Sequence, residues 1–565
     1  MKIFVRTFLY TLSPVILIIS SCNTSPQYDL VVRNAVIIDG SGSERYIGDV
    51  AINEDRIAKV GVVNEQGKEE VDAEGKVLSP GFVNMLSWAT ESLLVDGRGM
   101  SDIMQGVTLE IMGEGWSMGP MTEEMRESAL SSQGDLKFDI PWTSLGEYLQ
   151  HLEDKGVSPN VASYVGATTL RIHEVGYEDR APTNEELERM KALARQAMEE
   201  GALGIGSSLI YAPAFYAETE ELIELCKAIS PYGGSYITHM RSEGNRLVEA
   251  VDEVLRIANE GGVQAEIYHL KAGGASNWFK MDIVINKIDS ARKAGINIAT
   301  NMYNYIAGAT GLNASMPPWV QEGGYDKWAE RLRDPVIRKK VIAEMKQDAT
   351  DWENLYYGAG SADKLILVGF KNEELKEYTG KTLAEVAKMR GTTPEDTAID
   401  LVIEDGSRVG TVYFLMSEEN VTKQIKLPYM SFGSDAGAPS AEGVFLKSST
   451  HPRAYGNFSR LIGKYVRDEK VISLEEAIYK LTSLSTSKLR IKERGLIKEG
   501  YFADIVIFDP DEIKDNATFE NPHAYASGMM HVWVNGIQML KDGEHTGNTG
   551  GRFVKGSGYN SREEL

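Results

Sequence analysis

The side chains best suited to chemistry in this sequence are His239, His269, Glu114 and Asp435. Two imidazoles and one carboxylate make a suitable zinc ligand set and leave a coordination position for water or substrate. A cation held that way lowers the pKa of water toward neutrality and polarises a carbonyl oxygen. An aspartate beside it would accept the proton of the water and return it to a leaving nitrogen. Each residue also has a plainer reading. A lone histidine is more often packed than ligating, and Asp435, in SFGSDAG, would serve equally as a helix cap. Glu110 shares a face with Glu114 by period-two alternation and is a rival acid. Glu114 is preferred because glycines flank it in GEG, where the backbone can bend around a metal.

These residues matter only if the chain gathers them. From residue 80 to 490 apolar strand candidates alternate with amphipathic helical patterns. The candidates are LSPGFVNML, GVTLEIMG, NVASYVGATTL, ALGIGSSLIY, GSYITHM, VQAEIYHL, INIATNMY and YMSFGSD. Helical runs such as NEELERMKALARQAMEE, EELIELCKAI and RLVEAVDEVLRIANE lie between several of them. Eight parallel strands with helical crossovers predict an α/β fold of (β/α)8 type, a TIM-like barrel. Its active site would lie at the C-terminal strand ends, which is where Glu114, His239, His269 and Asp435 fall. The interval between the seventh and eighth strands is too long for one crossover, so 315–425 is expected to be a helical insertion over the mouth. Residues 28–79 and 491–565 are β-rich and punctuated by Gly, Asn and Asp, which predicts one small β-sandwich built from both termini, with a C-terminal tail.

The bulk properties exclude some partners. A formal charge of -23, from 59 Lys+Arg and 82 Asp+Glu, argues against a nucleic-acid partner, since phosphate binding needs a basic face. Lys2 and Arg6 precede an apolar stretch from Phe8 to Ile19, too short to span a membrane. It ends in Ile19-Ser20-Ser21-Cys22, which resembles a bacterial lipobox. The expectation is a lipoprotein signal peptide at 1–21, acylation of Cys22, a tether at 22–27 and a location in the cell envelope. An ordinary signal peptide with an incidental Cys is the other reading. Cys226 then has no disulfide partner and belongs to a helix core.

The phrases LSPGF at 78–82, QGVT at 105–108, GALGIGSSLIYAPAFYAETEEL at 201–222 and THMRSEG at 238–244 occur in order. HLKAGGASNW at 269–278, GSDAG at 433–437, HPRAYGNFSRLIGKYVR at 451–467 and GYFADIVIFDP at 500–510 follow them. Together they resemble the D-aminoacylases, the N-acyl-D-amino-acid deacylases of the amidohydrolase superfamily, over about residues 28–545. The resemblance implies that His239 and His269 are metal histidines and Asp435 the catalytic aspartate. It implies that Lys271 and Tyr305 bind substrate, and it makes Arg453, in HPR, the best candidate for a carboxylate clamp. An ion pair with a loop acid is the alternative for Arg453, and a carbamylated bridging ligand the alternative for Lys271.

The sequence departs from the family in two places. Glu114 stands near the position of a family cysteine, and a carboxylate is the harder ligand. On the first strand GFVNMLSWATES puts Leu86 and Trp88 where the family carries a His-x-His pair, and neither side chain holds a metal. One zinc ion is therefore expected: either that single site suffices for hydrolysis, or the pocket is rebuilt for a different substrate with Trp88 as an apolar wall, or catalysis is lost and the protein is a binder. Asn301 stands where relatives often have Asp. Arg241 and Glu243 would orient ligands or form a solvated pair. The implied activity is hydrolysis of the amide of an N-acylated amino acid, of D configuration by analogy with the family. Two alternatives stay open: a cyclic-amide, dipeptide or ester hydrolase at the same site, and a non-catalytic lipoprotein that binds an amino-acid derivative.

Overall fold

A computed structural model of the chain describes residues 26–349 and 351–559. The expected signal peptide and Cys22 lie outside the described residues. Among those described, no helix is long and apolar enough to cross a membrane.

The positions that carry the candidate chemistry ride on parallel strands. We label them β1 (Phe82–Asn84), β2 (Val107–Met112), β3 (Asn160–Ser163), β4 (Gly204–Ser208), β5 (Ser235–His239), β6 (Ala265–Ile267), β7 (Ile298–Met302) and β8 (Met430–Phe432). β1 pairs with β2 and β2 with β3, all parallel. Val165–Gly166, which continues β3, pairs with β4, and β4 through β8 then pair in sequence order. The last strand runs beside the first: the Met85 N–H donates to the Phe432 carbonyl at 3.0 Å, and Ser87 forms a parallel bridge with Ala436.

The crossovers form helices for readable reasons. In Asn184–Glu199, Thr183 and Glu186 make a capping box that satisfies the first free N–H groups. In Leu247–Gly261, the residues Leu247, Ala250, Val251, Val254, Ile257 and Ala258 repeat at helical spacing and are buried. Gly262 ends that helix with φ +65°, a left-handed conformation that glycine takes without strain. Along the strands, Tyr236, Ala265, Ile267, Met430 and Phe432 pack into the cluster that contains these helices. Their neighbours Ile237 and Tyr268 join a separate inner cluster with Val83, Leu86, Leu109, Ile111 and Tyr164. Strands buried on both faces in this way belong to parallel sheets covered by helices.

Both termini meet in one nine-stranded sheet, in which Val77–Pro80 pairs antiparallel with Ile505–Phe508. Beyond it the C-terminal segment returns to β3, where the Val554 N–H donates to the Val161 carbonyl at 2.9 Å. The segment between β7 and β8 corrects one expectation, because it is not helical alone. Helices such as Tyr325–Arg333, Pro335–Met345 and Pro394–Asp405 accompany a three-stranded antiparallel sheet of Ala307–Gly311, Gly410–Phe414 and Leu365–Gly369. The β-branched and aromatic runs LILVG and GTVYF favour strands. With Leu367 and Tyr413 they share a core with Leu312, Trp328 and Leu401.

Candidate metal centre

Three strand ends converge on one point. Glu114 lies two residues beyond β2, His239 closes β5, and His269 lies two residues beyond β6. Glu114 Oε1 is 2.9 Å from His269 Nε2 and 3.2 Å from His239 Nδ1, and the three candidate ligand atoms lie within 4.8 Å of one another. All three residues are buried. The donor set, two imidazole nitrogens and one carboxylate oxygen, fits zinc.

The backbone around each ligand explains how it gets there. Gly113 and Gly115 have φ +105° and +70°, and a Cβ on either would meet Tyr164 O at 2.3 Å or Ser208 Cβ at 2.5 Å. Only glycine lets this turn wedge against the neighbouring strands and aim Glu114 inward. His269 has φ +32° and Asp435 φ +50°, left-handed conformations that cost a non-glycine residue energy. The His269 N–H is tied down by Asn301 Oδ1 at 2.8 Å, and Asn301 Nδ2 donates in turn to Glu266 Oε1 at 2.9 Å. The Asp435 N–H donates to the Leu86 carbonyl at 2.9 Å.

Behind the histidines stands Glu243, a residue that the sequence offered only as a possible orienting group. One of its oxygens is 3.0 Å from His269 Nδ1 and 2.6 Å from Lys271 Nζ, and the other is 3.5 Å from His239 Nε2. One carboxylate therefore lies within ion-pair distance of the outer nitrogen of both candidate ligands. Arg241 does not join it and pairs with Glu253 at 2.9 Å. Burial would raise the Glu243 carboxyl, but His239, Lys271 and His269 hold it well below the usual carboxylate range. Glu114 shows the same balance: burial opposes the charge, and the two histidines overcome it. Burial and Lys271 disfavour the protonated His269 ring, yet Glu243 and Glu114 raise it to about 9.

Asp435 adjoins the cluster. Arg453 Nη1 is 2.8 Å from Asp435 Oδ2, and burial raises the Asp435 carboxyl against the pull of Arg453. Lys271 Nζ is 2.7 Å from His269 Nδ1. Tyr303 lies beside these groups, its ring centre 6.2 Å from that of His269 and 4.3 Å from the Arg453 guanidinium carbon, while Tyr268 is 6.1 Å from His269 and Tyr211 5.4 Å from His239. Tyr305 lies elsewhere. Its ring packs at 5.3 Å on His451 and at 6.4 Å on Phe519, with the Arg460 guanidinium carbon 4.6 Å away. Glu110 is also outside the cluster, accepting from Asn84 Nδ2 at 2.9 Å beside the buried Asp102. Trp88 contributes a contact that the sequence did not suggest: its indole Nε1 donates to Glu114 Oε2 at 2.9 Å.

Against known proteins, residues 430–539 match the model of the amidohydrolase family. The D-aminoacylase of Alcaligenes xylosoxydans xylosoxydans is 32% identical over 539 residues, covering 94% of this chain and 99% of that protein. The chain belongs to the D-aminoacylase family. Among solved structures, a D-aminoacylase with a binuclear metal centre superposes with a TM-score of 0.77 at 30% identity, over 94% of this chain and 100% of that one. The N-acyl-D-glutamate deacylase of Bordetella bronchiseptica was solved with zinc and a phosphonate that mimics the tetrahedral intermediate. It gives a TM-score of 0.76 at 26% identity, over 94% of this chain and 99% of that one. The α/β fold is that of the amidohydrolases, close to D-aminoacylase.

Proposed function

We propose that this chain hydrolyses the amide bond of N-acyl-D-amino acids at one divalent metal, zinc, held by Glu114, His239 and His269. The observation that carries the reading is the convergence of three ligand atoms within 4.8 Å, with Asp435, Lys271 and Arg453 around them. A metal bound there supplies a Lewis acid for the amide carbonyl and acidifies water. Asp435 takes the proton of the attacking water and delivers it to the departing amine. Arg453 and Lys271 supply cationic donors for the substrate carboxylate, and Tyr303 stands between them with its ring 4.3 Å from the Arg453 guanidinium carbon and 5.6 Å from Lys271 Nζ. Tyr305, one layer behind, backs His451, whose Nδ1 accepts the Arg453 N–H at 2.9 Å.

We read the parallel strands as a (β/α)8 barrel, supported by the Ser87–Ala436 bridge between its first and last strands, and the terminal sheet as its β-sandwich. The Ile19-Ser20-Ser21-Cys22 sequence supports export and lipid anchoring at the envelope, its only membrane contact. Metal analysis with an assay on N-acetyl-D-amino acids tests the function. Turnover dependent on one metal per chain and lost in His239→Ala is expected. Two metals per chain, or an unaffected His239→Ala, rejects it.

A further inference from the structure

Trp88 is the residue whose place in the centre the family resemblance leaves unexplained. By the resemblance it stands where the family would carry a metal histidine, and an indole N–H can only donate. Its backbone is fixed by the N–H bond to the Ala436 carbonyl at 2.9 Å, next to Asp435. From there the indole Nε1 reaches Glu114 Oε2 at 2.9 Å, while Oε1 of the same carboxylate faces the two histidines. Glu114 is buried, so an oxygen left without a donor or cation would be costly. Leu86, two residues earlier, packs in the inner cluster with Met85, Tyr164 and Tyr268.

We propose that the Trp88 indole N–H positions Glu114 for the metal: it holds one carboxylate oxygen and keeps the other turned toward the two histidines. This rests on the metal site proposed above and adds a positioning residue to it. The indole bond occupies one lone pair of Oε2 and leaves Oε1 facing the histidines. Because the indole holds the carboxylate before the metal arrives, less ordering is left to be done on binding. The ligand is thus preorganised by a neutral donor, with no second charge.

The test is zinc binding to the full-length protein after removal of metal, read by stoichiometry and by competition with a chromophoric chelator. The wild type is expected to take one equivalent. Trp88→Phe is expected to take one equivalent with affinity lowered roughly 10- to 100-fold, the usual cost of losing a partner that orients a ligand. A benzothienyl analogue of tryptophan at position 88, which keeps the ring shape and lacks the N–H, is expected to show the same loss and guards against misfolding of the phenylalanine variant. In the wild type, the Trp88 indole N–H resonance should shift with the first equivalent of zinc and stay fixed afterwards. Affinity within twofold of wild type in the analogue, or an unmoved resonance, overturns the inference. Glu114→Gln separates the two levels. If it binds zinc as tightly as the wild type, the metal site itself is wrong; if it loses zinc while the analogue does not, only the role of Trp88 fails.

Discussion

Replacing Glu243 by Gln removes one negative charge and leaves the shape almost unchanged, so it isolates what that carboxylate does. Glu243 faces His269 Nδ1 at 3.0 Å, His239 Nε2 at 3.5 Å and Lys271 Nζ at 2.6 Å. Losing one orienting partner of a metal ligand typically weakens metal binding about 10- to 100-fold, or roughly 1.4–2.8 kcal/mol. Glu243 is close to His269 and only 3.5 Å from His239, which puts the expected loss near the lower figure, about 10-fold. The same change strands the buried Lys271 ammonium, and breaking a buried pair costs about 3–5 kcal/mol of stability. The two effects separate experimentally. Zinc affinity is measured by chelator competition at a temperature where circular dichroism shows the variant folded, and stability by urea unfolding of the metal-free proteins. A zinc affinity within threefold of wild type in folded Glu243→Gln would refute the role given to this residue. So would a lowered affinity accompanied by a new second metal equivalent.

The remaining predictions concern chemistry, recognition and pH. Asp435→Asn keeps zinc and substrate but lowers kcat roughly 100- to 10,000-fold, the range for a lost general acid–base; kcat within tenfold of wild type contradicts the assignment. Arg453→Lys raises KM for an N-acetyl-D-amino acid roughly tenfold or more, as expected when a charge-assisted hydrogen bond is lost. With the corresponding carboxamide the variant and wild type should be nearly equal, and equal KM ratios for both substrates would remove the clamp. Burial and the neighbouring Glu110 carboxylate raise the Asp102 carboxyl well above its ordinary value. A raised carboxyl gives stability that is present below its unfolded pKa and is lost as pH rises toward the folded one. Asp102→Asn, which carries no titrating proton, should therefore gain stability relative to wild type as pH rises from about 4 to 7. A gap constant over that interval in urea unfolding would contradict this.

The strand ends were legible because a parallel α/β pattern and a C-terminal active-site rule place His239, His269, Glu114 and Asp435 without coordinates. The choice of Glu114 over Glu110 depended on glycines whose positive φ now has a steric reason in Tyr164 and Ser208. What stayed hidden depends on partners distant in the chain. Glu243 sits in the loop after β5, and its value comes from meeting Lys271 and His269 beyond β6, which spacing within either segment does not reveal. Trp88 read as a wall because residue type alone says that an indole cannot ligate, whereas its contact with Glu114 spans two strands. Tyr303 and Tyr305 both follow β7, and past the last paired residue the period-two rule no longer says which side chain faces inward. The small antiparallel sheet between β7 and β8 escaped because its five-residue strands are separated by helices and long loops.

The most direct test of the account is a crystal structure of the zinc-loaded protein, with the metal located by anomalous scattering at the zinc edge. One ion is expected at one carboxylate oxygen of Glu114, His239 Nδ1 and His269 Nε2, with the other Glu114 oxygen still bonded to the Trp88 indole. Two ions, or an ion that does not touch Glu114, would contradict it.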